Sequence, residues 1–489
     1  MSGQRPSSID IIGNIERALQ DSALQRSLGV ALPAFRMQRD AAVAEVPEWE
    51  DLRVAAARIK DFALAHLDGL LTRLEAQVTA RGGLVHWAAD AEAARQIITG
   101  LARTRGARRI VKSKSMTTEE IHLNAALQAA GATVVETDLG EYILQLAGEA
   151  PSHLIAPAVH KSTAAVAELF SARLGAPRYQ RPEDLARVAR EALRSDFLAA
   201  DMGVSGVNFA VAETGTLVIV ENEGNARFTT TLPRVHVAVM GIEKVIPRLA
   251  DLGVFLRLLA RSGTGQRASV YVSLLTGPRR AGETDGPEEL HLVILDNGRV
   301  RLLADPDLRE ALRCIRCGAC QNVCPVFERV GGHAYGAVYG GPIGAVVTPV
   351  LEGLGRAGGL PFASTLCGAC AEVCPVKIDI PRMLLVLRGR AVRGGYVGRP
   401  DRLFARGWTF LMRSPARLRA LGRLGRWLQR LVVRRGRIER LPYPWSGWTL
   451  HRTAPPLAAR PFRDRWASLR QDRGAESRGA SRSSRGSLR

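Results

Sequence analysis

The sequence predicts an α/β domain with a parallel sheet, followed by a smaller α-helical, loop-rich domain organised around cysteines. Three observations lead there. Between Leu84 and Gly175, short apolar runs alternate with amphipathic helical stretches, the rhythm of a sheet covered on both faces. From Val207 to Gly298 the rhythm becomes that of hairpins and closely spaced strands. All seven cysteines lie between 314 and 374, which leaves none for a disulfide elsewhere and suits metal binding in a reducing compartment.

Taken in order, residues 1–45 read as a weakly structured arm with some short helix. PEWEDLRVAAARIKDFALAHLDGLLTRLEAQVTAR, residues 47–81, spaces Leu52, Ala55, Ile59, Phe62, Ala63 and Leu67 as one long amphipathic helix. Beyond Gly82 and Gly83, LVHWAA, RRIVKS, ATVVET and HLIAP read as strands. DAEAARQIITGLARTRG, TTEEIHLNAALQAAG and KSTAAVAELFSARLG read as the helices between them. After the helical RPEDLARVAREALRSDFLAAD, VNFAVAETGTLVIVENEG reads as two apolar runs around Glu213, Thr214, Gly215 and Thr216. A buried strand PRVHVAVMGIEKVI, a helix PRLADLGVFLRLLARSG and strands ASVYVSLLTG and ELHLVILDNG complete the unit. The expected division is a helical segment 1–68, an α/β domain 69–299, a cysteine domain 300–390, a basic domain 391–470 and a flexible tail 471–489.

Charge is unevenly spread. The formal net charge is +21, yet Ala391 to Arg489 holds 24 Arg, no Lys and five acids, and so supplies +19 of it. The body is nearly neutral. The basic part suits nucleic acid, an anionic membrane surface or an acidic partner, or is simply a solvated arginine face. Five of the seven tryptophans, Trp408, Trp427, Trp445, Trp448 and Trp466, lie in it, a composition that argues against simple disorder. The N-terminus has no signal pattern and no apolar run approaches a membrane span, so a cytoplasmic protein is expected.

CIRCGACQNVCP places Cys314, Cys317, Cys320 and Cys324 before Pro325. Cys-x2-Cys-x2-Cys-x3-Cys-Pro is the bacterial [4Fe–4S] run, in which three cysteines meet one cubane and the fourth points to a neighbouring cluster. Zinc favours two separated Cys-x2-Cys pairs instead. STLCGACAEVCPVKI repeats the run with Cys367, Cys370 and Cys374, but Ser364 stands where its first cysteine would be. With fourth cysteines exchanged, one cluster takes Cys314, Cys317, Cys320 and Cys374. The other takes Cys324, Cys367 and Cys370. Its last corner falls to the Ser364 hydroxyl, water or a substrate atom, or stays open as in a [3Fe–4S] cluster. Between the runs, His333, Tyr335 and Tyr339 are either hydrogen-bonding partners of a cluster or structural residues of a glycine-rich turn.

The α/β domain carries a weaker chemical signal. Lys112 and Lys114 end a strand just before a helix start, where anions bind in parallel sheets; two solvated lysines with a good N-cap fit equally. His160 and Lys161 allow the same two readings. Glu213 to Thr216 is either a ligand cradle or a hairpin turn. No Gly-x-Gly-x-x-Gly follows a strand, no Walker loop is present, and no hydrolase triad stands out.

VKSKSMTTEEI, DLGEYILQLAGEAPSHLIAPAVHK, FAVAETGTLVIVENEGN, CIRCGACQNVCPVF, GAVYGGPIGAV and LPFASTLCGACAEVCPVKI together resemble the lactate utilization protein B family over roughly residues 10–470. The resemblance implies a sugar-isomerase/CoA-transferase-like sheet (a LUD domain), then an α-helical ferredoxin-type domain with two [4Fe–4S] clusters. It also implies a subunit of a complex oxidising L-lactate to pyruvate. The partners would be a cysteine-rich redox protein and a shorter LUD-type protein, with electrons passing toward a membrane acceptor and contact with the membrane at most peripheral. The serine-headed second run belongs to the family pattern, whereas the arginine-rich end after about 470 does not. Two other functions compete: a CoA-transferase-like or ligand-binding enzyme using Glu213, and a nucleic-acid protein using the basic tail, which its aromatic residues disfavour.

Overall fold

A computed structural model describes residues 8–441, 446–449 and 452–466, which fall into two compact units, Met1–Val397 and Gly398–Arg489. In the first unit the strands run β1 Leu84–Ala88, β2 Arg109–Lys112, β3 Thr133–Glu136, β4 Met202–Gly206, β5 Phe209–Val211, β6 Thr216–Glu221, β7 Val235–Gly241, β8 Val245–Ile246, β9 Tyr271–Leu275 and β10 Glu289–Leu295. Six of them form a parallel sheet in the order β1-β10-β7-β4-β2-β3. The inner strand β7, VHVAVMG, is buried at every position, as a strand covered on both faces must be. A second sheet, β8-β5-β6-β9, contains the expected hairpin, with Val211 opposite Thr216.

The N-terminal arm is better ordered than its sequence suggests. Helices Ile11–Gln20 and Ser22–Ala44 are capped by Asp10 and Asp21, whose carboxylates accept from Gly13 N at 3.0 Å and Ala23 N at 2.9 Å. Leu28 and Leu32 are fully buried in the same core as Cys317, Cys324 and Phe327, with Leu24 and Phe35 packed beside them. That stripe finds its partners in the cysteine domain and in helix Leu252–Thr264, all far away in sequence, so local reading could not see it.

The expected single helix over 47–81 breaks at His66 into Trp49–Ala65 and Leu67–Ala80. The break lets each half serve a different core. Trp49, Ala56 and Leu64 join the cysteine-side core, whereas Leu67, Leu71, Leu74 and Val78 pack on the sheet with Met240 and Leu292. TTEEIHLNAALQAAG likewise divides, into Met116–Glu120 and Leu123–Ala129, at His122 with φ 50°. HLIAP is not a strand. Its backbone donors go to side chains: Ile155 N and Ala156 N each donate to His153 Nδ1 at 3.2 Å, and Leu154 N to Gln321 Oε1 at 3.0 Å.

Helix Ile380–Arg393 carries the cysteine-bearing part past residue 390. In the second unit, helices Arg399–Met412 and Pro415–Leu428 precede a short ribbon pairing Val433 with Ile438. Trp408, Trp427, Trp448 and Trp466 are exposed there. Trp445 and the expected flexible tail 471–489 lie outside the described residues. Among the described residues no helix is long and apolar enough to cross a membrane.

A buried ionic network joins sheet and cysteine domain. Arg299 donates through Nη1 and Nη2 to Glu120 at 2.8 Å each, and through Nε to Glu243 at 2.6 Å. Tyr339 of the cysteine domain donates to Glu120 at 2.6 Å, and Arg316 Nη2 lies 3.7 Å from Glu243. Burial alone would raise the Glu243 carboxyl, but Arg299, Lys244 and Arg316 outweigh it and hold it at about 2. Arg299→Met strands two buried carboxylates and is expected to destabilise the protein by about 3–5 kcal/mol. Guanidinium unfolding of the anaerobic protein measures this. A loss of about 0–1 kcal/mol, typical of an exposed pair, would mean that the network is not what joins the layers.

Candidate metal centre

The two cysteine runs fold as copies of one loop. In the first, Arg316 (φ 62°) and Gly318 (φ 75°) flank Cys317, and helix Ala319–Asn322 follows. In the second, Leu366 (φ 56°) and Gly368 (φ 90°) flank Cys367, and helix Ala369–Glu372 follows. Positive φ on both sides of a cysteine curls the chain so that successive N–H groups face inward, a nest for anionic sulfur. Cys314 Sγ accepts from Arg316 N at 3.4 Å, Cys324 Sγ from Phe327 N at 3.5 Å and Cys374 Sγ from Ile378 N at 3.4 Å. The left-handed Arg316 and Leu366 were not apparent from composition. The only signal was their place directly before a Cys-Gly pair.

Ser364 takes the same part in the second loop as Cys314 in the first. Its Oγ accepts from Leu366 N at 3.1 Å, the bond that Cys314 Sγ accepts from Arg316 N. Arg388 fixes this corner by donating to the carbonyls of Pro361 at 2.8 Å and Ser364 at 2.7 Å. Arg53, from the helix Trp49–Ala65, donates to the carbonyls of Cys374 at 3.0 Å and Glu372 at 2.7 Å, closing the C-terminal end of the second short helix.

The cysteines interleave. Burial raises the Cys317 thiol, and Cys314 and Cys374 are the thiols that press on it further. Burial also raises Cys324, with Cys367 its cysteine neighbour. Cys370 is pushed up to about 12 by burial, then by Cys324 and Cys367, and Cys374 to about 11 by burial, with Cys314 nearby. Such buried thiols are poor nucleophiles unless a cation displaces their protons. Tyr335 is fully buried with no partner for its hydroxyl, and the thiols acting on it are Cys324, Cys320 and Cys370. An orphaned donor among sulfurs fits a metal–sulfur group. His333, by contrast, donates to Ala150 O at 2.7 Å, and Tyr339 is held by Glu120.

Residues between the cysteines lock the centre to the α/β domain, and the sequence reading missed them. His153 Nδ1 accepts two backbone N–H groups, so Nε2 carries the proton and donates to Asn322 Oδ1 at 2.9 Å. Asn322 Nδ2 donates to Gly263 O at 2.8 Å, and Gln321 Nε2 to Gly340 O at 3.0 Å.

The two lysines at the end of β2 are separated in role. Lys112 is fully buried and bound to Glu136 at 2.8 Å, Glu119 at 2.9 Å and Thr118 at 3.1 Å. Lys114 instead lines a cavity of about 260 Å³ together with Lys244, Arg316 and Cys317. His160 and Lys161 both bind Glu149, at 2.7 and 2.6 Å. Glu213 accepts from Leu249 N at 2.9 Å, and the Thr214 and Thr216 hydroxyls pair at 2.7 Å across a hairpin turn.

Residues 71–295 match the LUD domain family and residues 310–378 the 4Fe–4S dicluster domain family. The chain is 44% identical over 462 residues to lactate utilization protein B of Shouchella clausii, covering 94% of this chain and 97% of that one. Identity to lactate utilization protein B of Geobacillus thermodenitrificans is 42% over 462 residues, with coverage of 94% and 97%. Identity to the uncharacterized electron transport protein YkgF of Escherichia coli is 47% over 388 residues, with coverage of 79% and 81%.

The lock generates a pH prediction. Burial holds His153 at about 3 rather than 6.5, so between these values the unfolded chain binds a proton that the folded chain does not. Stability from this group is complete above about 6.5 and is lost as pH falls toward 3. Thermal unfolding at pH 7.5 and 5.5 should show a lower midpoint at the acidic pH and a smaller difference in His153→Gln. An equal difference in the variant would assign the pH dependence to other groups.

Proposed function

The chain belongs to the lactate utilization protein B family, and on that premise we propose how its cysteines and partners divide the work of an iron–sulfur electron-transfer subunit in lactate utilization. One cluster is held by Cys314, Cys317, Cys320 and Cys374, and the other by Cys324, Cys367, Cys370 and the Ser364 hydroxyl. The interleaving of Cys374 with Cys314 and Cys317, and of Cys324 with Cys367 and Cys370, carries this reading. Ser364 joins it because its oxygen takes the local bond that the Cys314 sulfur takes. Clusters bound there would supply one-electron steps, two of which match the two electrons released when lactate becomes pyruvate. A tetrahedral zinc site would bring its sulfurs to about 3.8 Å from one another, given Zn–S near 2.3 Å. Among the described residues no three cysteine sulfurs lie within 4.8 Å of one another.

The protein's own groups prepare the site. Backbone N–H groups of Arg316, Phe327 and Ile378 stabilise thiolate sulfur, Tyr335 offers a buried O–H, and the apolar core excludes water. The CoA-transferase-like alternative is not favoured, because the relatives are lactate utilization proteins B and the chain carries a 4Fe–4S dicluster domain. The proposed partners are a cysteine-rich redox protein and a shorter LUD-type protein. Contact with the inner face of a membrane, if the basic second unit makes one, is peripheral.

Iron and acid-labile sulfide should each come to about eight per chain for two [4Fe–4S] clusters. Low-temperature EPR of the anaerobic protein should show reduction by L-lactate only when both partners are present. Clusters that lactate never reduces in the complete complex would sink this role. Ser364→Ala should lose about one iron and show a [3Fe–4S] signal, while Ser364→Cys should keep four irons and resist oxygen longer. Unchanged iron and EPR in Ser364→Ala would remove Ser364 from the ligand set.

A further inference from the structure

The cavity beside Cys317 lies where the α/β domain meets the cysteine loop. Ser113, Lys114 and Ser115 line it just beyond the end of β2, and Gly206 and Asn208 at and beyond the end of β4. That is the edge of a parallel sheet where ligands gather. Its volume of about 260 Å³ falls below the range of about 300–1,000 Å³ typical of drug-sized ligands. It suits a small molecule.

Its charges are arranged asymmetrically. The acids on its wall are engaged: Glu221 accepts from Ala226 N and Arg227 N at 2.8 Å each, Glu223 from Leu139 N at 3.0 Å and Asp138 from Gly140 N at 3.0 Å. The cations are only partly answered, Arg316 Nη2 lying 3.7 Å from Glu243. Arg316 Nη1 is buried without a partner, although the guanidinium is held in place 4.5 Å over the Tyr339 ring. Lys244 is buried, and neither it nor Lys114 forms a hydrogen bond or close ion pair among the described residues. Glu243, the carboxylate that bears on Lys244, is committed to Arg299. Buried cations without close partners are costly, and a carboxylate ligand would answer Lys244 and the free Arg316 Nη1, with the half-buried Lys114 beside them.

We propose that this cavity binds the carboxylate of a small 2-hydroxy or 2-oxo acid, held by Lys114, Lys244 and Arg316 against the Cys317 loop. The proposal rests on the lactate role for its choice of acid and gives that acid a place in this subunit, next to the proposed cluster on Cys314, Cys317, Cys320 and Cys374. No bond is made or broken in binding.

Calorimetric titration of the anaerobic, iron-loaded full chain with sodium L-lactate and sodium pyruvate tests it, with inorganic phosphate as the competing anion. Saturable binding of either acid is expected, weakened tenfold or more in Lys244→Met and in Lys114→Met and partly restored in Lys244→Arg. Iron content equal to wild type in each variant shows that the fold persists. Pyruvate should also shift the EPR line shape of the reduced wild-type protein and not that of Lys244→Met. Absence of binding to wild type, equal affinity in both methionine variants, or phosphate binding as tightly as pyruvate would overturn the proposal. Each of those results leaves the electron-transfer role standing, because that role is decided by lactate reduction in the complete complex.

Discussion

The structure of the first unit depends on a positive charge that cannot leave the interior. Arg299 follows β10 and is 2% exposed, and a guanidinium does not shed its proton at any pH that a protein survives. Everything around it is arranged to answer that charge. Glu120 comes from the short helix after β2 and Glu243 from the turn after β7, and Asn297 steadies Glu120 from the side at 2.6 Å. Because Tyr339 and Arg316 share these carboxylates, the cysteine domain is set on the sheet by the same interaction that closes the sheet's edge. An ion group of this kind adds little net stability over an apolar core. Its value here is orientation: one arrangement satisfies all partners, and a shifted domain would strand a charge.

A second constraint works in the opposite sense. Cysteine sulfurs that serve a metal carry negative charge into a core built from Leu28, Leu32, Phe327 and Val376. The chain offsets this with backbone N–H groups, which need the left-handed turns at Arg316 and Leu366. It adds a cation from each side in Arg316 and Arg53. The N-terminal helices are part of the same solution. They supply apolar cover in the core that holds Cys317 and Cys324, and Arg53 grips the carbonyls after the second short helix. A segment with little chemical signal of its own is therefore a wall of the centre.

The doubled loop also bears on the missing eighth cysteine. A serine at the first position of the second loop keeps the backbone bond that the corresponding cysteine makes, so the loop closes in the same way with oxygen in place of sulfur. Cys367, three residues on, is the exposed cysteine of the set. The first loop thus carries four cysteines, none of them exposed, and its copy carries three with one exposed.

The sequence by itself determined the alternation of strand and helix, the hairpin around Gly215, the cysteine spacing and the place of Ser364, because each depends on neighbours within a few residues. It misjudged elements whose reasons are distant. The arm over 1–45 looked loose because its apolar stripe pairs with helix Leu252–Thr264 and with the cysteine domain, both distant in sequence. HLIAP looked like a strand because nothing local reveals that His153 and Gln321 take its backbone donors. The helix over 47–81 looked continuous because its period does not register that two cores compete for its two halves. Tertiary structure alone decided which lysine is free: Lys112 and Lys114 are alike in sequence, but one faces Glu136 inside the fold and the other faces the cavity. Alternation along a strand sends neighbours to opposite sides, while two residues of equal parity part company only where the strand ends, and that end is set by packing rather than by composition.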